Sequence, residues 1–401
     1  MSNSIKNKPT HKKSSRRKSR QMASDTDEPC NSTSSNDAGN ISGTSKSRKV
    51  GNKPHGKHEG KGKSSAKRSV NNPSDNSEYR QGKKKDKDRR DSRKRLKEKC
   101  LKHRNLVTSS YRNRRLSSEE REKFDALLGI RNKYADHMPT SDIKLRRFVG
   151  KRVIGEMDSL SQRAALDHRL SIYHGTFLDD EFMINERSGT AAPMRFMHKV
   201  QSAIRQYTSL NAFGFIENQA LTNYPKGDNG KSLSIHAHAI IWGYDDGDPE
   251  QLVDHAKGFQ TALTNQPIFI QKIGLTEGDF TTVGRYLAKP PTEGKVVDYT
   301  KLEEGKACLR SITDGMKKYH HLRLFEYGAK IPMEHTMFGV GEGVPVRQRI
   351  VNQMKAYQKK RSGSEMQIGK HVYDLFEGFL DNNKKLKNYH PMQVIYKRGQ
   401  K

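Results

Sequence analysis

Residues 233–242, Leu-Ser-Ile-His-Ala-His-Ala-Ile-Ile-Trp, read as the strongest strand of the chain and set the terms for everything around them. Strand geometry alternates side chains between two faces, so Ile235, Ala237, Ala239 and Ile241 share one face while His236 and His238 share the other. Residues 213–221 form a second strand, and the Gly-, Asn-, Asp- and Pro-rich stretch 223–230 between them is a turn-forming connection. Strands joined by so short a link pair antiparallel. Upstream, residues 168–177 alternate apolar and polar in strand fashion. Residues 190–210 carry Met194, Met197, Val200, Ala203, Ile204 and Tyr207 at helical intervals. Downstream, Pro249 opens a helix carrying Leu252, Val253, Ala256, Phe259 and Leu263. Residues 268–273 are a further strand, and residues 281–289 are helical until Pro290-Pro291 stops them. The order strand, helix, strand, strand, helix, strand, helix predicts an α+β fold, a central antiparallel sheet with flanking helices.

Composition bounds the rest. Only 32% of the 401 residues are hydrophobic, and residues 1–100 contain just 13 of them. So little apolar surface cannot offset the entropy of ordering a backbone, so residues 1–115 are expected to be a disordered basic arm. Residues 1–120 hold 34 basic against 13 acidic side chains, with clusters at 12–20, 61–68 and 83–99. Such clusters displace counterions from phosphates, giving sequence-independent, salt-sensitive affinity for nucleic acid. A helical junction follows over 116–164, where Ser117-Ser118-Glu119-Glu120 resembles a helix cap ahead of Phe124, Leu127 and Leu128. The globular core is expected over 165–292. Residues 293–401 form an extension, partly helical and basic, that either completes the domain or adds duplex-binding surface. Residues 339–343, Gly-Val-Gly-Glu-Gly, lack the Lys-Ser/Thr ending of a phosphate-binding loop and read as a loop. No run approaches the roughly 20 apolar residues of a membrane span. The N-terminal charge has no apolar stretch behind it, so no secretory signal is expected. Cys30, Cys100 and Cys308 are too scattered for a zinc site or a disulfide framework, which points to a reducing, cytoplasmic location, and the excess positive charge adds association with DNA.

Two imidazoles on one strand face are a natural pair of metal ligands. In a chain with 16 histidines the bare spacing is common, so the context carries the reading: small alanines between the rings and a partner strand bearing acid and amide groups. That partner offers Glu217 and Gln219 on one face. A divalent ion working on phosphate favours a hard oxygen ligand, which makes Glu217 the first choice and Gln219 the second. His174 on the first strand is a further candidate.

Tyr286 and Lys289 lie three apart on the helix after the fourth strand, hence on one face. A phenol is a competent nucleophile toward a phosphodiester once its proton is lost, and a nearby ammonium stabilises the charge that develops. The same spacing recurs at Tyr327/Lys330 and Tyr357/Lys360, but only Tyr286 sits where a short helix crosses the sheet above the histidines. Arg285 and Lys272 are the basic residues expected to grip a strand beside the site.

His236-Ala-His238 on a strand, followed by Tyr286-x-x-Lys289 on a helix, resembles the HUH endonuclease superfamily over residues 165–292. The strand ending in Thr176-Phe177 is similar to the first characteristic strand of its replication initiators. With Thr at 282 and Pro at 290, the chain resembles the single-tyrosine group. The resemblance implies a Mg²⁺ or Mn²⁺ site and a tyrosine that nicks single-stranded DNA, joins its 5′-phosphate and leaves a 3′-hydroxyl. It further implies a rolling-circle replication initiator acting on single-stranded DNA and origin duplex DNA, with host replication proteins as partners and no membrane. A transposase or relaxase of the same superfamily, and a noncatalytic nucleic-acid-binding protein, remain the alternatives.

Overall fold

A computed structural model of the chain describes residues 73–396 apart from 112–115, 185–188, 225–230, 245–246, 255–257, 265, 275–276, 293, 299–307, 313–315, 317 and 382–390. The chain runs through α1 (Pro73–Tyr111), α2 (Ser118–Leu127), the two-residue β1 (Tyr134–Ala135), α3 (Ile143–Leu166), β2 (Ser171–Leu178), β3 (Thr190–Ala191) and α4 (Pro193–Arg205). It continues as β4 (Asn211–Thr222), β5 (Lys231–Gly243), α5 (Gly247–Asp254), β6 (Ile268–Lys272), α6 (Glu277–Leu287), β7 (Gly294–Asp298) and β8 (Cys308–Ile312). Last come α7 (Lys318–Lys330), β9 (Met337–Val340), α8 (Gly343–Lys360), β10 (Glu365–Met366), α9 (Val372–Asp381) and β11 (Gln393–Val394).

The architecture is the expected α+β one. Seven strands form one sheet in the order β6-β2-β5-β4-β7-β8, with β9 sharing the outer edge of β4. Every pairing in it is antiparallel except β4 with β7. β5 lies at the centre, and its alternation divides the core. Ile235, Ala237, Ala239 and Ile241 pack with Phe196, Val200 and Ile204 of α4 and Leu324 of α7. On the other face Ile240 and Trp242 meet Val149 and Val153 of α3, Phe280 and Leu287 of α6, and Ile350 of α8. The sheet is therefore a filled middle layer between two layers of helix.

Several boundaries differ from the sequence reading. The arm expected to be disordered over 1–115 is a helix over Pro73–Tyr111; residues 1–72 and 112–115 lie outside the described residues. Ser92, Leu96, Cys100, His103, Val107 and Ser110 are all buried, at intervals of three and four. This narrow stripe docks against α3, α6 and α7, while Lys and Arg, good helix formers, fill the outer face. Three apolar residues in that stripe are too few to register in a composition count, yet they suffice once a tertiary surface covers them. The divisions at 164 and 292 do not separate units either. α3, expected in a junction, covers one face of the sheet, and β7, β8 and β9, expected in an extension, belong to it. The extension thus completes the domain. The helix expected to run from Pro249 through Leu263 is described only to Asp254; Gly258, at φ +95°, and residues 259–264 are not helical. Thr190–Ala191 form a short strand before α4, which starts at Pro193.

Local signals held elsewhere. Ser117 Oγ accepts a hydrogen bond from the Glu120 amide at 3.1 Å, and Glu120 Oε2 accepts one from the Ser117 amide at 2.7 Å, so the capping box is formed. The glycines at 339–343 are not a free loop but the tight link from β9 into α8. Gly341 has φ +54°, and a Cβ on Gly343 would lie 1.7 Å from the Ala212 carbonyl oxygen. Only glycine lets α8 begin against the backbone of β4.

The docking of α1 can be tested. Leu96 is buried with Cys100 and Ile143, and a Cβ on Gly150 of α3 would come within 2.3 Å of its Cδ2. Leu96→Ala should lower the unfolding free energy by about 2–5 kcal/mol. In the Leu96→Ala/Gly150→Ala double variant the added methyl fills part of the vacated space, so the combined loss should be smaller than the sum of the two single losses. Denaturant titration reads both values; an unchanged stability of Leu96→Ala would mean that α1 does not dock.

Candidate metal centre

The pairing of β4 with β5 places Glu217 directly opposite His236, and Phe215 opposite His238. On the other side of β5, Thr176 of β2 stands opposite His238. Directly opposed residues project to the same face, so Glu217, His236, His238 and Thr176 converge beneath α6. Glu217 Oε2 is 3.8 Å from His236 Nε2 and 3.9 Å from His238 Nε2. The three ligand atoms all lie within 4.8 Å of one another, and among the described residues this is the group that could hold a metal ion. Gln219 pairs with Ser234, one repeat further along β4, so the acid and not the amide faces the histidines.

The chemistry of these groups fits a cation. Two donors about 2.1 Å from a shared ion stand at most about 4.2 Å apart, and both carboxylate–imidazole separations already meet that limit. His238 Nε2 and Glu217 Oε1 are buried with no hydrogen-bond partner, a state that costs about 1–3 kcal/mol for each group unless something satisfies it. Thr176 Oγ1 lies 3.0 Å from His238 Nδ1; with the proton on Nδ1 donated to that hydroxyl, the Nε2 lone pair faces the carboxylate. Burial, aided by the Lys289 charge, pushes His236 down to about 4, and it holds His238 well below the usual histidine range. Both rings are neutral at pH 7, as ligands must be. Burial lifts Glu217 to about 7, against the pull of Lys289, Arg146 and Lys99. A carboxylate held there gains from a positive ion beside it.

Tyr286 stands over this cluster. Its ring centroid is 4.7 Å from that of His238, edge to face, and 5.6 Å from that of His174. His174 stacks on His238 at 5.3 Å, and burial followed by the Lys289 charge lowers it to about 4. The third candidate histidine therefore packs beside His238, with the tyrosine ring against both. Lys289 Nζ lies 3.4 Å from the centroid of the Tyr286 ring, over its face. The other two Tyr–Lys pairs are elsewhere: Tyr327 is buried under the opposite face of the sheet, and Tyr357 stacks on Phe148 at 4.2 Å.

Residues that sequence reasoning did not single out hold the tyrosine helix in place. Arg146 of α3 donates from Nη1 to the Lys289 carbonyl at 3.1 Å and from Nε to the Thr140 carbonyl at 3.0 Å. It thereby fixes the end of α6 just beyond Tyr286. On the same helix, Gly284 packs so closely that a Cβ would lie 3.1 Å from Met157 and 3.2 Å from the Ile154 Cα. Lys99 of α1 contributes its field to Glu217. Lys272, expected beside the site, is on the other face: it pairs with Tyr173, and its ammonium lies 5.8 Å from that ring. Arg285 is half-buried on α6.

No protein-family model, no curated protein and no solved structure matches this chain. Among the described residues no helix is long and apolar enough to cross a membrane. The Thr176 hydroxyl gives the metal reading its most direct test. Thr176→Val keeps the shape and removes the group at His238 Nδ1, so Mn²⁺ affinity measured by calorimetry should fall about 10- to 100-fold. Unchanged affinity would mean that the hydroxyl does not orient the imidazole.

Proposed function

We propose that the chain is a metal-dependent enzyme of the HUH type that nicks single-stranded DNA and transfers the cut strand through Tyr286. The observation that carries this reading is the placement of one phenol ring 4.7 Å from a histidine belonging to a Glu-His-His ligand group. Glu217, His236 and His238 would hold a Mg²⁺ or Mn²⁺ ion, which supplies a Lewis acid for the scissile phosphate. Tyr286 loses its proton and attacks phosphorus in line. Its bond to phosphorus forms as the bond to the 3′-oxygen breaks, and that oxygen takes up a proton to become a 3′-hydroxyl. The phosphotyrosine on the 5′ side retains the energy of the broken bond, so a second hydroxyl can complete the transfer without a nucleotide cofactor. Lys289 and Arg146 add positive charge where the phosphate gains negative charge. Within the superfamily, the first strand, whose Thr176 supports His238, favours a rolling-circle replication initiator.

The charge of α1 supports a polyanionic partner. Lys87, Arg90, Arg93, Lys94, Arg95, Lys97 and Lys102 are exposed along it, against Asp91 and Glu98. α1 packs on α3 and α6 through its opposite, apolar side, and Lys99, half-buried between the two sides, acts on Glu217. Replacing Arg93, Lys94, Arg95 and Lys97 with Gln should reduce the slope of log affinity against log salt by up to about 3 for single strands, at roughly 0.7 per phosphate contact.

The enzymatic reading is tested with a labelled, random-sequence pool of single-stranded DNA and Mn²⁺. A denaturation-resistant protein–DNA adduct is expected from the parent chain and none from Tyr286→Phe. His236→Ala should abolish the adduct while leaving most DNA binding intact. Salt-sensitive binding with no adduct from the parent chain would make the protein a noncatalytic nucleic-acid binder.

A further inference from the structure

β6 is the outermost strand of the sheet next to β2. Ile268 and Ile270 of this strand pack into the core shared with α4. Phe269 and Gln271 therefore project to the opposite face, the one that carries the ligand group. The register makes the relation specific. Phe269 is directly opposite Thr176, and Thr176 is directly opposite His238. Phe269, Thr176 and His238 form one rung across three strands, about 10 Å from end to end at normal strand spacing. The other large aromatics on this face, Phe213, Phe215 and Trp242, are buried, whereas Phe269 is 43% exposed. Among the described residues no strand pairs with the outer edge of β6, so a planar group can reach the ring from the side.

A single exposed apolar side chain is ordinary on a protein surface. What distinguishes Phe269 is that the same rung ends on a ligand histidine and on the hydroxyl that orients it. The geometry points to Phe269 as a stacking platform for a nucleobase of single-stranded nucleic acid, one or two nucleotides from the phosphate held at the ligand group. Gln271, exposed two residues further on, presents an amide donor and an amide acceptor to the edge of that base. Stacking accepts any base, because every base has a π-face, while the amide supplies a preference. The platform rests on the proposed reading of the Tyr286 site for its place along the strand, and its binding is measurable without any cleavage.

The natural chain has one tryptophan, Trp242, which is 2% exposed. Phe269→Trp in the full chain thus adds an indole at the platform whose emission reports on stacking. Oligodeoxythymidylate should quench that emission, and an abasic strand of equal length and charge should not. Phe269→Ala should weaken oligodeoxythymidylate binding roughly 5- to 150-fold, the range for loss of one base–aromatic stack, and leave the abasic strand's affinity unchanged. Phe269→Leu, which keeps the apolar volume, should behave like Phe269→Ala; parental affinity in Phe269→Leu would show that the ring's π-face is not used. An indole unquenched at saturation, equal losses for both strands, or no binding of either strand at low salt would each overturn the platform. Quenching without a Tyr286 adduct would leave the platform standing and remove the nuclease. An adduct without quenching would do the reverse.

Discussion

The register between β4 and β5 governs the chemistry of this molecule. Twelve residues of β4 pair with twelve of β5, and within that ladder Glu217 faces His236. A slip of one residue would carry the carboxylate to the opposite face and bring Ile216 or Asn218 beneath the tyrosine helix. The register is held by apolar side chains on both sides of the sheet. Ile216, Ala237 and Ile235 are committed to the layer under α4, and Phe213, Phe215 and Ile240 to the layer under α3 and α8. Burying a carboxylate and two imidazoles between those layers is unfavourable by itself, as the displaced proton affinities of all three groups attest. Apolar burial along the rest of both strands carries that unfavourable insertion.

α3 is the second constraint. It touches the sheet on one side and the tyrosine helix on another, and close approaches at Gly150 and Gly284 leave no room for slack between α1, α3 and α6. Arg146 adds a directional tie, from the middle of this assembly to the backbone at Lys289. Arg146 is half-buried, and its desolvation lowers its proton affinity against the fields of Cys100 and Glu217. Charge inside the site is therefore balanced across elements: the carboxylate comes from the sheet, and the cations come from α1, α3 and the end of α6. A carboxylate paired with only one fixed ammonium would be close to neutralised. At Glu217 the opposing fields come from three separate elements, through Lys289, Arg146 and Lys99.

The sequence pattern disclosed the parts of the fold that depend on short-range periodicity. Alternation over 233–242 separated the histidine face from the alanine face, and the turn-rich link made β4 its antiparallel neighbour. Helical spacing located α4 and α6, and the cap at Ser117 located α2. Lys272 was legible by the same parity, since it shares a face with Ile268 and Ile270; proximity in sequence to the tyrosine helix hid that. The remainder depends on contacts between distant parts of the chain. Arg146 reaches Lys289 across 143 positions, and β9, only four residues long, joins β4 from more than a hundred positions away. Neither leaves a local trace. α1 escaped for a different reason. Its outer face is so rich in Lys and Arg that a composition count assigns it to disorder, although a helix needs only a narrow apolar stripe when other helices cover that stripe.

That stripe and that outer face also connect stability with the proposed function. The apolar seam of α1 and its cationic rail are opposite sides of one helix, so docking Leu96, Cys100 and Val107 fixes where the charges point. A flexible basic tail would supply the same counterion release but no direction. A helix packed against α3 and α6 holds its cations in a fixed direction, and Lys99, at the border between seam and rail, carries its field to Glu217. On the proposed reading, a strand gripped along the rail would meet the tyrosine and the Glu-His-His group in a fixed order. The alignment that catalysis needs is then partly built by packing before any substrate arrives. Loosening the seam should therefore harm strand positioning as well as stability.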